Sequence, residues 1–145
     1  MRIVDVLRVK GDEVATIGPD ATVTELLAGL CWRNIGAMVV VDPADGDAVV
    51  GIVSERDIVR TLHHEGPDVL KRSVASIMSA VVATCHPGSN VDDLAEVMTQ
   101  NRVRHVPVLV EGRLTGIVSI GDVVKTRMDE LQTERQQLQA YITQG

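Results

Sequence analysis

The 145-residue chain is 45% hydrophobic with a formal net charge of −6, yet it has no Phe, one Trp and one Tyr, so its core must be aliphatic. That balance speaks against a nucleic-acid partner, which needs a basic face and aromatic rings to stack on bases. The longest apolar runs, AMVVV (37–41) and AVVGIV (48–53), fall far short of a membrane span of ~20 residues, and the first residues lack the apolar stretch of a signal peptide, so a cytoplasmic protein without a membrane partner is expected.

In chain order, IVDVLR (3–8) is a short lead-in segment and VATI (14–17) reads as a strand. Thr22 with Glu25 forms a capping-box pattern, and Val23, Leu26, Leu27 and Leu30 recur at helical spacing, which predicts a helix to about Arg33. AMVVVD and AVVGIVS are predicted strands joined by a hairpin whose turn is supplied by Asp45-Gly46. A second helix begins after Ser54. HHEGPDVLKR (63–72), polar and carrying a Gly-Pro step, marks a linker. Beyond it come the lead-in VASIMS (74–79), a strand VATC (82–85), a helix from about Val91 to Gln100, strands VPVLV and LTGIVS around Glu111-Gly112, and a helix after Ser119.

The second series repeats the first. GIVSERDIVR (51–60) returns as GIVSIGDVVK (116–125), six of ten residues being identical. Thr16, Pro19, Val23, Leu26 and Leu30 fall on Thr84, Pro87, Val91, Leu94 and Met98 at a constant offset of 68, which drops to 65 after the longer first hairpin turn. A length change confined to a Gly/Asp/Pro-rich turn is what a duplicated fold tolerates. Each repeat of about 60 residues is too small to bury a good core alone, so the two should pack around a pseudo-two-fold axis. The expected fold is α+β: two β-α-β-β-α repeats plus a C-terminal helix. The boundaries read as 1–62 for repeat one with its lead-in, 63–73 for the linker, 74–128 for repeat two and 129–145 for the helical tail.

Each closing helix is preceded by S-x-x-D. One reading is structural, with Ser54 and Ser119 as N-caps and Asp57 and Asp122 answering the free amides of the first turn. The other is chemical. A helix start after a Gly-containing strand offers backbone N–H groups and a hydroxyl to an anion, while a carboxylate beside it repels phosphate but accepts hydrogen bonds from ribose hydroxyls. Serine for phosphate and aspartate for ribose would describe a nucleotide.

The duplicated β-α-β-β-α pattern, the G-I-V-S-x-x-D before each closing helix and RHVPV (104–108) resemble the tandem cystathionine-β-synthase (CBS) domain pair, the Bateman module, over roughly residues 3–128. The resemblance implies an adenine-nucleotide pocket between the repeats, taking AMP, ADP, ATP or NAD, and no catalytic cofactor. By position, Asp57 and Asp122 would accept ribose, Ser54 and Ser119 would lie on the phosphate side, and Thr16 and Thr84 would border the base. Ile35, Gly36, Ala37 and Met38, with Val103, Arg104, His105, Val106 and Pro107, would wall the adenine ring.

The repeats also differ: Arg56 stands where repeat two has Gly121, and Arg102, Arg104 and His105 stand where repeat one has Asn34, Gly36 and Ala37. In a pseudo-two-fold pair these cations are expected to converge on one phosphate region, which an acidic chain would need. Cys31 and Cys85 are expected to be buried free thiols, and His63-His64 and Cys85-His86 lack metal-ligand spacing. Val124, Met128, Leu131, Leu138 and Ile142 form a heptad-like stripe that either folds back on its own domain or packs on a second copy, the homodimer being favoured. The expected function is that of a stand-alone nucleotide sensor signalling to an effector protein. The alternatives are a structural or interaction module in which S-x-x-D only caps helices, and an enzyme using His105 or Cys85, for which no oriented base–nucleophile pair is evident.

Overall fold

A computed structural model describes residues 1–11 and 13–144; Gly145, the last residue of the predicted tail, lies outside them. The first half contains helix α1 (Ile3–Lys10), strand β1 (Thr16–Ile17), helix α2 (Val23–Arg33), strands β2 (Ala37–Asp42) and β3 (Ala48–Ser54) and helix α3 (Glu55–Glu65). After 3-10 turns at Pro67–Lys71 and Val74–Ser76 come α4 (Val91–Asn101), β4 (His105–Val110), β5 (Arg113–Ser119) and α5 (Ile120–Gln144). The architecture is the expected α+β duplication.

Helix starts follow side-chain chemistry. Thr22 Oγ1 accepts the Glu25 N–H at 3.1 Å to begin α2, and Asn90 Oδ1 accepts the Asp92 N–H at 2.8 Å to begin α4. β2 lies between β1, which it pairs in parallel, and β3, which it pairs antiparallel. β4 and β5 form the matching antiparallel pair, and both hairpins carry an irregularity at the corresponding place, Val40/Val41 and Val108/Leu109. The second hairpin turns tightly through Glu111 and Gly112, both at positive φ. The first takes a wider path, through a 3-10 turn at Pro43–Asp45 before Gly46 and Asp47, both left-handed.

The predicted strand VATC is not formed. It is reduced to one parallel bridge, Cys85 with Val108. The repeat offset shows why. In the first half the Val39 N–H donates to Ala15 C=O at 3.2 Å. The residue matching Val39 is Pro107, which has no N–H to complete the same ladder.

Two aliphatic cores result. Val23, Leu26, Leu30, Met38, Val40 and Val53 centre the first, and Val91, Leu94, Met98, Val106, Val108 and Val118 the second. The lead-ins cross over between them: Ile3 and Val6 of α1 are buried in the second core, and Val74 and Ile77 in the first. Sequence proximity had placed each lead-in with the repeat that follows it. The stretch read as a polar linker is also structured, since α3 runs on to Glu65 and Val69 is fully buried in the first core. Cys31 is exposed rather than buried, because it lies off the Val23–Leu26–Leu30 stripe of α2.

Helix α5 has 25 residues and buries only Val123 and Thr126. Its apolar stripe does not fold back on its own domain: Val124 is 51%, Met128 65% and Ile142 73% exposed. Among the described residues no helix is long and apolar enough to cross a membrane.

Candidate functional site

β3 ends at Ser54, whose extended backbone (φ −126°) turns the chain into α3. Ser54 Oγ accepts the Asp57 N–H at 3.4 Å, and Asp57 Oδ2 accepts the Ser54 N–H at 2.8 Å, a reciprocal capping box. Asp57 is nonetheless only 7% exposed, and its other oxygen, Oδ1, accepts from Ser79 Oγ at 3.0 Å. A carboxylate oxygen can take a second hydrogen bond, so Oδ1 keeps room for a donor from outside. Capping and ligand reception are therefore compatible here.

Ser54 and Asp57 open on a cavity of about 580 Å³ between the halves. Gly36, Arg56, Val59 and Arg60 complete the first half's side of the cavity, and Arg102, Val103, Arg104 and His105 form the opposite side. The floor is the segment Ser79–Ala83. Four arginines face two carboxylates, Glu55 and Asp57, so the cavity is locally basic on an acidic chain. Among the described residues none of the four arginines is held in an ion pair. Arg102 sits in the left-handed C-cap of α4 (φ 54°), where the matching residue of α2 is Asn34 (φ 53°). Asn adopts that conformation more readily than Arg.

Burial first, and the Lys10 charge next, push the His105 imidazole below its ordinary value, with Asp122 pulling the other way. His105 is thus a neutral lining group at pH 7, and the arginines supply the charge. Burial pushes the Cys85 thiol up to about 11, which leaves it protonated and a poor nucleophile.

The second motif makes the same box, with the Ser119 N–H donating to Asp122 Oδ2 at 2.8 Å and the Asp122 N–H to Ser119 Oγ at 3.2 Å. Lys10 Nζ also donates to that Oδ2, at 2.6 Å, and to Ile117 C=O at 2.7 Å. Burial alone would raise the Asp122 carboxyl, but the Lys10 ammonium and the Ser119 bonds outweigh it and hold the group below the usual carboxylate range.

Of the residues singled out from sequence, the cavity gathers Gly36, Ser54, Arg56, Asp57, Arg102, Val103, Arg104 and His105. It does not gather the rest. Met38 and Val106 point into the two cores, Ala37 and Pro107 are buried in their strands, and Ile35 packs against the first core. Thr16 and Thr84 are exposed outside the cavity, and Ser119, Gly121 and Asp122 are not among its lining residues, although Ser119 pairs across the hairpin with His105, which is. Of the wall segments, Gly36, Val103, Arg104 and His105 line the cleft and the others do not, because β2 is buried from Ala37 to Val40 and β4 from Val106 to Val108. Arg60 and the floor Ser79–Ala83 were missed. Arg60 stands four residues after Arg56, the spacing that puts two helix side chains on one face.

The CBS domain family model matches residues 6–64 and 74–129, one match per half, and the chain belongs to that family. It is 38% identical over 128 residues to the mitochondrial CBS domain-containing protein CBSX3 of Arabidopsis thaliana, covering 87% of this chain but 62% of that relative's length. A CBS-domain-containing protein from Agrobacterium tumefaciens shares 46% identity with a TM-score of 0.83, over 88% of this chain and 99% of its own. A CBS domain protein from Pyrobaculum aerophilum, solved in complex with AMP, is 27% identical with a TM-score of 0.75, over 84% and 89%.

Proposed function

We propose that the cleft binds an adenine nucleotide and that the chain acts through it as a regulatory sensor. The observation that carries this reading is the convergence of Ser54 and Asp57 with four arginines and His105, drawn from both halves, on one cavity. Its volume suits a small organic ligand. Asp57 is the acceptor for ribose hydroxyls, the guanidinium groups suit a phosphate, and Val81, Ala83 and Val103 offer apolar flanks to the base. The AMP complex of the Pyrobaculum relative makes AMP the first ligand to test, with ADP, ATP and NAD as its competitors.

A thermal-shift series tests the reading. AMP at 100 times its Kd is expected to stabilise the protein by about 2.7 kcal/mol, and AMP should outbind adenosine by a margin that shrinks in high salt. Equal responses to AMP and adenosine would remove the phosphate role. No response to any nucleotide would leave the two capping boxes as caps in a structural or interaction module.

Arg102 gives a second measurement. A left-handed conformation costs an ordinary L-residue ~1–2 kcal/mol, and Asn, the residue at the matching position, relieves part of it. Arg102→Asn is therefore expected to raise stability by up to about 1 kcal/mol while weakening AMP and leaving adenosine unchanged, as read by melting and calorimetry. Unchanged AMP affinity would make Arg102 a solvated charge.

Regulation needs a ligand that prefers one of two states, passed to an effector protein. The exposed face of α5, with Val124, Met128 and Leu131, is the proposed contact with a second copy. Truncation after Thr126 is expected to keep both repeats folded and AMP bound but to dissociate the dimer in light scattering. A dimer that survives places the interface on the repeats.

A further inference from the structure

The two motif aspartates stand in different surroundings, and the difference traces to one lysine. After the turn at Val74–Ser76 the chain leaves helical geometry, and Ser79 exchanges backbone hydrogen bonds with Ile52 at 2.8 and 3.0 Å. The Ser79 hydroxyl bonds Asp57, and the next four residues floor the cavity. The counterpart segment beside Asp122 is α1. The correspondence is direct, since Leu7 packs at Gly116 as Met78 packs at Gly51. Unlike its counterpart, α1 stays helical through Lys10. From that last turn Lys10 Nζ bonds the C=O of Ile117, the residue matching Ile52, and the carboxylate of Asp122. One ammonium thus makes the two kinds of bond that the Ser79 amide and hydroxyl make in the first half.

We propose that Lys10 sets the number of nucleotides the chain takes: where the Ser79 hydroxyl bonds Asp57 and leaves its charge to a ligand, the Lys10 ammonium neutralises Asp122 as it bonds it, and so shuts the second motif from within. This rests on the ribose reading of the motif aspartates. An ammonium–carboxylate bond is charge-assisted and roughly twice as strong as a neutral one, so a neutral sugar hydroxyl does not displace it. The pair is also partly shielded, Lys10 being 29% and Asp122 22% exposed, and salt screens it less than an open surface pair. Position 10 matches Val81 at the Leu7–Met78 offset, and Val81 lines the open cavity. An apolar residue in one half and a lysine in the other separate an open motif from a closed one.

Calorimetric titration of AMP into four proteins tests this: wild type, Lys10→Ala, Lys10→Ala/Asp57→Asn and the latter with Asp122→Asn added. Ala is the best helix former, so α1 should persist; if Lys10→Ala does not fold, Lys10→Gln, uncharged and of similar reach, is read by the same criteria. The expected result is one AMP per chain in wild type, two in Lys10→Ala, one at undiminished affinity in the double variant, whose Asp57 site is weakened, and none at undiminished affinity in the triple. Two AMP per chain in wild type, or one in both wild type and Lys10→Ala, overturns the role of Lys10 while leaving the nucleotide reading intact. No binding in wild type with one Asp122-dependent site in Lys10→Ala upholds the role of Lys10 and removes the proposed function of the cleft. No binding in any of the four overturns both.

Discussion

Replacing Asp57 with Ala is expected to weaken AMP binding by about 1.5–3 kcal/mol, roughly 10- to 150-fold in Kd, the contribution of a hydrogen bond to a charged group. The same substitution also acts on the fold. Asp57 Oδ2 accepts the Ser54 N–H and Oδ1 accepts from Ser79 Oγ, so Ala removes a cap worth ~0.5–2 kcal/mol and frees the Ser79 hydroxyl that tethers the cavity floor. Affinity is therefore measured well below the variant's melting temperature, where it is fully folded. Asp57→Asn separates the two roles, because its amide oxygen still accepts a hydrogen bond but carries no charge, and an intermediate loss of affinity is expected. Asp122→Ala is the control: it costs a cap and the Lys10 pair but should not change AMP affinity. If Asp57→Ala loses stability and keeps wild-type affinity, the motif is a cap and the ribose role of Asp57 falls.

Legibility in the sequence followed the range of the interaction. Caps, strand pairs and hairpins are decided within a few residues, and α2, α3 and α5 begin where Thr22, Ser54 and Ser119 predict. The duplication made even the longer-range outcome partly readable, since aligning Pro107 with Val39 already reveals a missing ladder donor. Side-chain direction was harder. A half-buried strand alternates, but β2 is buried on both faces from Ala37 to Val40, so nothing in AMVVV says that Met38 turns to the core rather than the cleft. The Lys10–Asp122 pair joins residues 112 positions apart. A lone lysine in a short amphipathic segment has no local signature of such a contact, and the crossing of the lead-ins that creates it is a property of the packed pair.

The crossing carries the second large prediction. Ile3 is fully buried among Val91, Leu94, Met98 and Val106, in the half that begins some seventy residues later. Ile3→Ala leaves a cavity there and is expected to cost about 2–5 kcal/mol, a large share of the 5–15 kcal/mol that holds a typical domain together. Val74 is the matching residue of the other lead-in, equally buried in the first core. Val74→Ala removes less volume and is expected to cost about 1–3 kcal/mol. What distinguishes crossed lead-ins from local ones is where the loss appears. Native-state hydrogen exchange should show Ile3→Ala loosening β4 and β5 before β2 and β3, and Val74→Ala doing the reverse. If Ile3→Ala instead loosens β2 and β3, the first lead-in belongs to the repeat that follows it in sequence. Because each half borrows two buried side chains from a segment that opens the other, denaturant should unfold the pair in a single transition, with neither repeat persisting after its partner is lost.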